Sequence, residues 1–318
     1  MNQHVLGELE SWLSHQIIGQ HDLVKKLLIA LLADGHLLVE GAPGLAKTRA
    51  IKMMADGMEG DFHRVQFTPD LLPGDITGTD VFRPQQGTFE FQAGPIFHNL
   101  ILADEINRAP AKVQSALLEA MAERQVSVGG TTYPLPDLFL VMATQNPIEQ
   151  EGTYPLPEAQ LDRFLMHVKV DYPNAEAERD ILKLARREAG GNDQPARPSV
   201  SADTIFQARK AVLDIHMAES VEEYIVQLII ASRQPEAYSE ELATWIEYGA
   251  SPRATIGLDR CARAHAWLAG RDFVSPDDVA AMAHDVLRHR LVVSYEGEIA
   301  GITSDGVIDR LLDLVPIT

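Results

Sequence analysis

Residues 36–48 read His-Leu-Leu-Val-Glu-Gly-Ala-Pro-Gly-Leu-Ala-Lys-Thr, and their chemistry is that of a polyphosphate cradle. A short apolar run, Leu37-Leu38-Val39, leads into a loop of mostly small residues (Gly41, Ala42, Pro43, Gly44, Leu45, Ala46) that closes on Lys47 and Thr48. Small residues let backbone N–H groups turn inward around phosphate oxygens. Lys47 can then set its ammonium against the β and γ oxygens, and the Thr48 hydroxyl can ligate Mg²⁺. The glycine that usually precedes the lysine in such loops is Ala46 here. Read as the start of the following helix, where alanine is unstrained and a better helix former than glycine, it is expected to be tolerated. Taken alone, the loop has an alternative as a surface Gly-Pro turn that binds nothing.

Further residues bear on the same chemistry. Leu100-Ile101-Leu102-Ala103-Asp104-Glu105 is an apolar strand ending in two acids. Asp104 could reach Mg²⁺ through its water shell, and Glu105 could polarise the water that attacks the γ-phosphate; both could instead cap the next helix. Ala143-Thr144-Gln145-Asn146 ends another strand in an amide that could orient that water, or serve as a turn residue before Pro147. Arg163 lies just before a strand, with a local pair to Asp162 as its alternative. Arg253 opens a helix, where a cation opposes the helix dipole, so an anion-binding role explains it better than a surface pair.

Five short apolar runs, Leu37–Val39, His63–Phe67, Leu100–Ala103, Leu138–Ala143 and Met166–Val170, read as buried parallel strands. Helical patterns such as Lys47–Met58 and Lys112–Glu123 separate most of them. This alternation predicts a three-layer α/β domain with ligands at the carboxyl ends of its strands. Residues 78–92 alternate around a Gln-Gly turn and residues 125–135 around Gly129-Gly130, which predicts two β-hairpin insertions. Beyond Asp171-Tyr172-Pro173 the pattern becomes helical throughout. Asn174 is placed to cap a helix to about Glu188, residues 190–195 read as a loop, and Ser251-Pro252 and Ser275-Pro276 read as capped helix starts. The expected division is an α/β core over residues 1–173 and an all-helical lid over 174–318.

The chain has 318 residues, 46% hydrophobic and 23% charged, as in ordinary globular proteins. No apolar stretch approaches the ~20 residues a membrane span needs. The start of the chain has no secretory layout, and the lone Cys261 forms no internal disulfide, so a cytoplasmic setting is expected. Cys261 reads as a small core residue. The net charge of −19 argues against a partner held through nucleic-acid phosphates. Arg186-Arg187 and Arg288-His289-Arg290 are short and read as solvated helix faces. The scattered histidines show no transition-metal spacing.

In order, Gly41–Thr48, the acidic strand with Ile106-Asn107-Arg108-Ala109-Pro110, Thr144-Gln145-Asn146-Pro147, Leu156-Pro157-Glu158-Ala159-Gln160-Leu161-Asp162-Arg163-Phe164 and Ser251-Pro252-Arg253 resemble the MoxR family of AAA+ ATPases over about residues 15–315. That family's phosphate loop also looks like Gly-x-Pro-Gly-x-Ala-Lys-Thr, so Ala46 is no departure from it. Ile17-Ile18-Gly19-Gln20 resembles the adenine-side segment of the superfamily, which assigns Ile18 and Gly19 to nucleotide binding. The resemblance implies a homo-oligomeric ring, usually hexameric, with ATP and Mg²⁺ between subunits. It makes Lys47 and Thr48 the phosphate-loop pair, Asp104 and Glu105 the magnesium-strand acids and Asn146 the first sensor. Arg163 becomes a finger reaching the neighbour's site and Arg253 the second sensor, in cis or in trans. It also implies a chaperone that remodels, assembles or activates a partner, often a von Willebrand factor A protein. The alternatives are an ATP-gated binding scaffold with slow turnover and a nucleic-acid remodeller. A small-molecule kinase would explain neither Arg163 nor the helical lid.

Overall fold

The computed structural model describes residues 2–147, 152–190 and 196–317. Its centre is a five-stranded parallel sheet: β1 (Leu37–Gly41), β2 (Phe62–Gln66), β3 (Leu100–Asp104), β4 (Leu140–Gln145) and β5 (Met166–Val170), in the order β2-β3-β4-β1-β5. β1, β3 and β4 are apolar almost throughout because both their faces are covered. β2 differs from its expectation as a buried strand. It is the sheet edge, and His63, Arg64 and Gln66 are exposed. β4 runs past the apolar run to Gln145, so Thr144 and Gln145 stand at its carboxyl end, as the reading of Ala143–Asn146 as a strand tip expects.

One sheet face is covered by the N-terminal helices Asn2–Gln16 and His21–Leu32, helix Lys47–Asp56 and much of the C-terminal region, which share a single apolar cluster. The other face packs against helix Ala111–Glu123, with Ile101, Ala103, Val113, Leu117 and Phe139 in its core. Two antiparallel hairpins, Gly78–Arg83 with Thr88–Ala93 and Gln125–Val128 with Thr131–Pro134, stand beside that helix. They touch through Phe91 and Tyr133, whose rings stack 3.9 Å apart.

After β5, the Asn174 side chain accepts from Glu176 N and Ala177 N and caps helix Ala175–Ala189. The loop expected at residues 190–195 lies, except for Gly190, outside the described residues. Ser251 caps helix Pro252–Leu268 by accepting from Arg253 N, and Ser275 with Asp278 forms a capping box on helix Pro276–Leu287. Leu258, Cys261, Val279, Met282 and Val286 are fully buried, as their spacing predicts. Burial pushes the Cys261 thiol up to about 12. Among the described residues of the lid, the strands form one small ribbon pairing Ile246–Tyr248 with Val292–Val293.

Arg288-His289-Arg290 overturns its reading as a solvated face. The segment is folded back between lid and sheet, where Arg290 donates to the Asp162 carboxylate (2.8 Å) and to the carbonyls of Phe164 and Leu165. Arg288 pairs with Asp305 at 2.6 Å and donates to the carbonyl of His167. Among the described residues no helix is long and apolar enough to cross a membrane.

Candidate functional site

The carboxyl ends of β1, β3 and β4 open onto a cavity of about 390 Å³. Its floor is the loop after β1. Gly41 is needed where it stands, because a Cβ there would lie 2.6 Å from the Val170 carbonyl oxygen of the neighbouring strand. Gly44 has φ +84, a left-handed conformation that favours glycine, and space for its missing Cβ is open. The Lys47 ammonium donates to the Gly41 carbonyl and closes the loop on itself. Burial lowers the Lys47 pKa, while the charges of Asp104 and Glu105 act in the opposite direction. The first turn of helix Lys47–Asp56 presents its unpaired N–H groups to the same space, an arrangement that favours an anion.

Ala46 departs from its sequence reading. It is the residue before the helix, not in it, and its φ of +58 places it in the left-handed region. Helix propensity is therefore irrelevant there, and the alanine carries strain of about 1–2 kcal/mol that a glycine would not.

The acids stand opposite. Asp104 is the last residue of β3. Its Oδ1 accepts from the Thr144 hydroxyl (2.6 Å) and its Oδ2 from Arg64 (2.6 Å). Glu105 is also left-handed, at φ +56, and its N–H donates to Thr144 Oγ1 at 2.9 Å. Its carboxylate accepts from Gln66 Nε2 (2.9 Å) and Arg108 Nη1 (3.1 Å). A strained non-glycine residue aimed into a cavity is a common mark of a functional position. The capping alternative for these acids is not what the side chains do.

Nine of the expected residues line this cavity: Pro43, Gly44, Leu45, Ala46, Lys47, Thr48, Asp104, Glu105 and Asn146. Gly41 and Ala42 are not among its lining residues, and neither are Ile18 and Gly19. Gly19 faces Pro173 and Ala177, at the start of the C-terminal region, and a Cβ there would meet both at 3.0 Å. The donor set suits a nucleoside triphosphate with Mg²⁺, since it combines one ammonium, a helix start, a hydroxyl and two carboxylates around one space.

Arg163 and Arg253 lie elsewhere. Both line a second cleft of about 270 Å³ that shares no residue with the first. Leu165 N donates to the His36 carbonyl and Leu37 registers with Met166, so Arg163 precedes the amino ends of β1 and β5. The phosphate loop follows the carboxyl end of β1. One five-residue strand, about 16 Å, separates the two. Arg163 Nη1 donates to the Leu118 carbonyl (2.7 Å). The expected alternative, a pair with Asp162, does not form: Asp162 is taken by Arg290 and Ser251.

Four residues of the site escaped sequence reasoning. Thr144 links both acids, Arg64 and Gln66 hold one acid each from the edge strand, and Arg49 lines the cavity while pairing with Glu188. Arg64 and Gln66 alternate along β2 and project to one side, a signal visible only once β2 is known to neighbour β3.

The comparisons with known proteins agree with this geometry. Residues 36–166 match the family described as "ATPase family associated with various cellular activities (AAA)" and residues 240–311 match the "AAA lid domain". The chain is 46% identical to Chaperone MoxR1 of Mycobacterium tuberculosis, over 95% of this chain and 79% of that one. It is 32% identical to Protein MoxR of Methylorubrum extorquens, over 98% and 94%. A solved structure from Cytophaga hutchinsonii, described as a candidate ATPase, superposes with a TM-score of 0.92 at 46% identity, covering 100% of this chain and 96% of that one. Motifs, sheet order, helical lid and relatives together place this chain in the MoxR family of AAA+ ATPases.

Proposed function

We propose that the chain is the subunit of a homo-oligomeric ring, six-membered as the family resemblance implies, that hydrolyses Mg·ATP between subunits to remodel or activate a partner protein. One observation carries this reading: the phosphate-loop residues and the arginines Arg163 and Arg253 line separate clefts at opposite ends of one sheet. Lys47, the loop N–H groups and Thr48 bind the polyphosphate. Bound Mg²⁺ would neutralise phosphate charge, held by Thr48 and, through water, by Asp104. Asn146 orients the attacking water and Glu105 accepts its proton. For that, the Glu105 carboxylate must leave Gln66 and Arg108, which now occupy it. Arg163 supplies its charge to the neighbour's site, because its own phosphate loop is a strand length away. Arg253 sits in the same cleft and acts in trans with it.

The partner class is a von Willebrand factor A protein, by the resemblance above; likeness to a protein named a chaperone supports only the remodelling role. Glu105→Gln, which binds ATP but does not turn it over, tests this by co-purification from source-cell lysate with and without Mg·ATP. A von Willebrand factor A protein present only with ATP supports the reading; nucleic acid without protein overturns it. A second reading, an ATP-gated scaffold with slow turnover, is favoured by the occupied state of both acids. Rescue of the cellular phenotype by Glu105→Gln would select it.

A further inference from the structure

The cleft at the amino ends of β1 and β5 gathers more guanidinium than its own acids balance. Arg124 pairs with Asp34 (2.7 Å), which also takes Arg209 (2.6 Å), and Arg290 pairs with Asp162 (2.8 Å). These pairs use up both carboxylates that line the cleft. Three arginines remain: Arg163, Arg253 and Arg260. Among the described residues neither Arg253 nor Arg260 joins an ion pair or donates a side-chain hydrogen bond, and both are exposed. In a chain of net charge −19, such a cluster is a local reversal of sign.

Its layout is regular. Arg253 and Arg260 are two turns apart on helix Pro252–Leu268, so their side chains leave one face about 10 Å apart. Ile256 lies between them, 53% exposed, although the adjacent Ala254, Gly257 and Leu258 are buried. An apolar side chain flanked by two unpaired cations suits a surface that is both covered by protein and opposed by an anion. The complementary feature in the same chain is the phosphate cavity, which would carry the charge of a bound triphosphate.

We infer that Arg260, outside every motif in the sequence, is a third cation that one copy presents to the nucleotide of a second copy, with Ile256 packing on the protein around it. This rests on the trans reading of Arg163. Arg163 and Arg253 serve the phosphate end that reacts, and Arg260, farther along the helix, reaches the polyphosphate nearer the nucleoside. Arg260 therefore acts on binding more than on the chemical step.

The test uses the full chain. Arg260→Ala should raise KM for ATP about tenfold at saturating protein, Arg260→Lys less, with thermal unfolding unchanged because no intrachain pair is lost. Mixing Arg260→Ala with Lys47→Ala, which lacks nucleotide binding but keeps an intact cleft, should restore wild-type KM in the mixed assemblies. A wild-type KM for Arg260→Ala would overturn the inference. So would failure of that mixture to recover when an Arg163→Ala plus Lys47→Ala mixture does recover, since Arg260 would then act within its own subunit. If the Arg163→Ala mixture also fails, the trans reading itself falls.

Discussion

The two ends of the central sheet treat charge in opposite ways. At the carboxyl end, the charged groups named above are provisionally satisfied from within: Lys47 by Gly41, Asp104 by Thr144 and Arg64, Glu105 by Gln66 and Arg108. At the amino end, among the described residues, Arg253 and Arg260 have no such partner and Arg163 has a single carbonyl. An exposed guanidinium costs little to leave solvated, whereas half-buried carboxylates and an ammonium must be paired while they wait. On the proposed function, one end is a site at rest and the other is half of an interface. Parallel strands make the separation unavoidable, because every β1-to-β5 connection returns the chain to the amino end.

The largest effect expected from breaking this contrast is at Arg163. Arg163→Ala should cut ATP hydrolysis by ~10³–10⁵ while leaving binding of a fluorescent ATP analogue to the isolated chain unchanged. Comparable losses of binding and hydrolysis would place Arg163 at its own site. Next comes Glu105→Gln, for which turnover should fall by ~10²–10⁴ with affinity retained. Thr144→Val is isosteric but removes the hydroxyl that joins Asp104 to the Glu105 N–H. It should lower stability by about 1–3 kcal/mol in a denaturant titration and slow hydrolysis without abolishing binding. An unchanged midpoint would mean that the hydroxyl bridge is not structural. The smallest effect is at Ala46: relief of left-handed strain exceeds the added entropy of the unfolded chain, so Ala46→Gly should stabilise by up to about 1 kcal/mol. Cys261 offers an independent readout of that variant. With its thiol pushed up to about 12 and fully buried, it should resist alkylation at neutral pH until the chain unfolds.

Local pattern made one half of this picture legible. The phosphate loop, the acidic strand tip and the capped lid helices each announce themselves within a few residues, and they lie where expected. Positions that depend on neighbours in space were harder to read. Arg64 and Gln66 look like exposed polar residues of an ordinary strand until β2 is known to be an edge beside β3. Ala46 carries no sign of its left-handed backbone, since it precedes a helix start by one residue. Arg290 sits in a basic triplet typical of solvent-facing helices, yet the chain turns it inward onto Asp162. The cleft itself draws residues from five distant stretches, around Asp34, Arg124, Asp162, Arg253 and Arg290, which no spacing rule connects.

The most direct test of a site completed in trans is ATP hydrolysis by an equimolar mixture of Lys47→Ala and Arg163→Ala chains. Each alone should be inactive. Random assembly into rings pairs an intact phosphate loop with an intact neighbouring arginine at about a quarter of the interfaces, so the mixture should recover a corresponding share of wild-type activity. A mixture as inactive as its components would contradict the account, because it would mean that each chain must supply Lys47 and Arg163 to the same nucleotide.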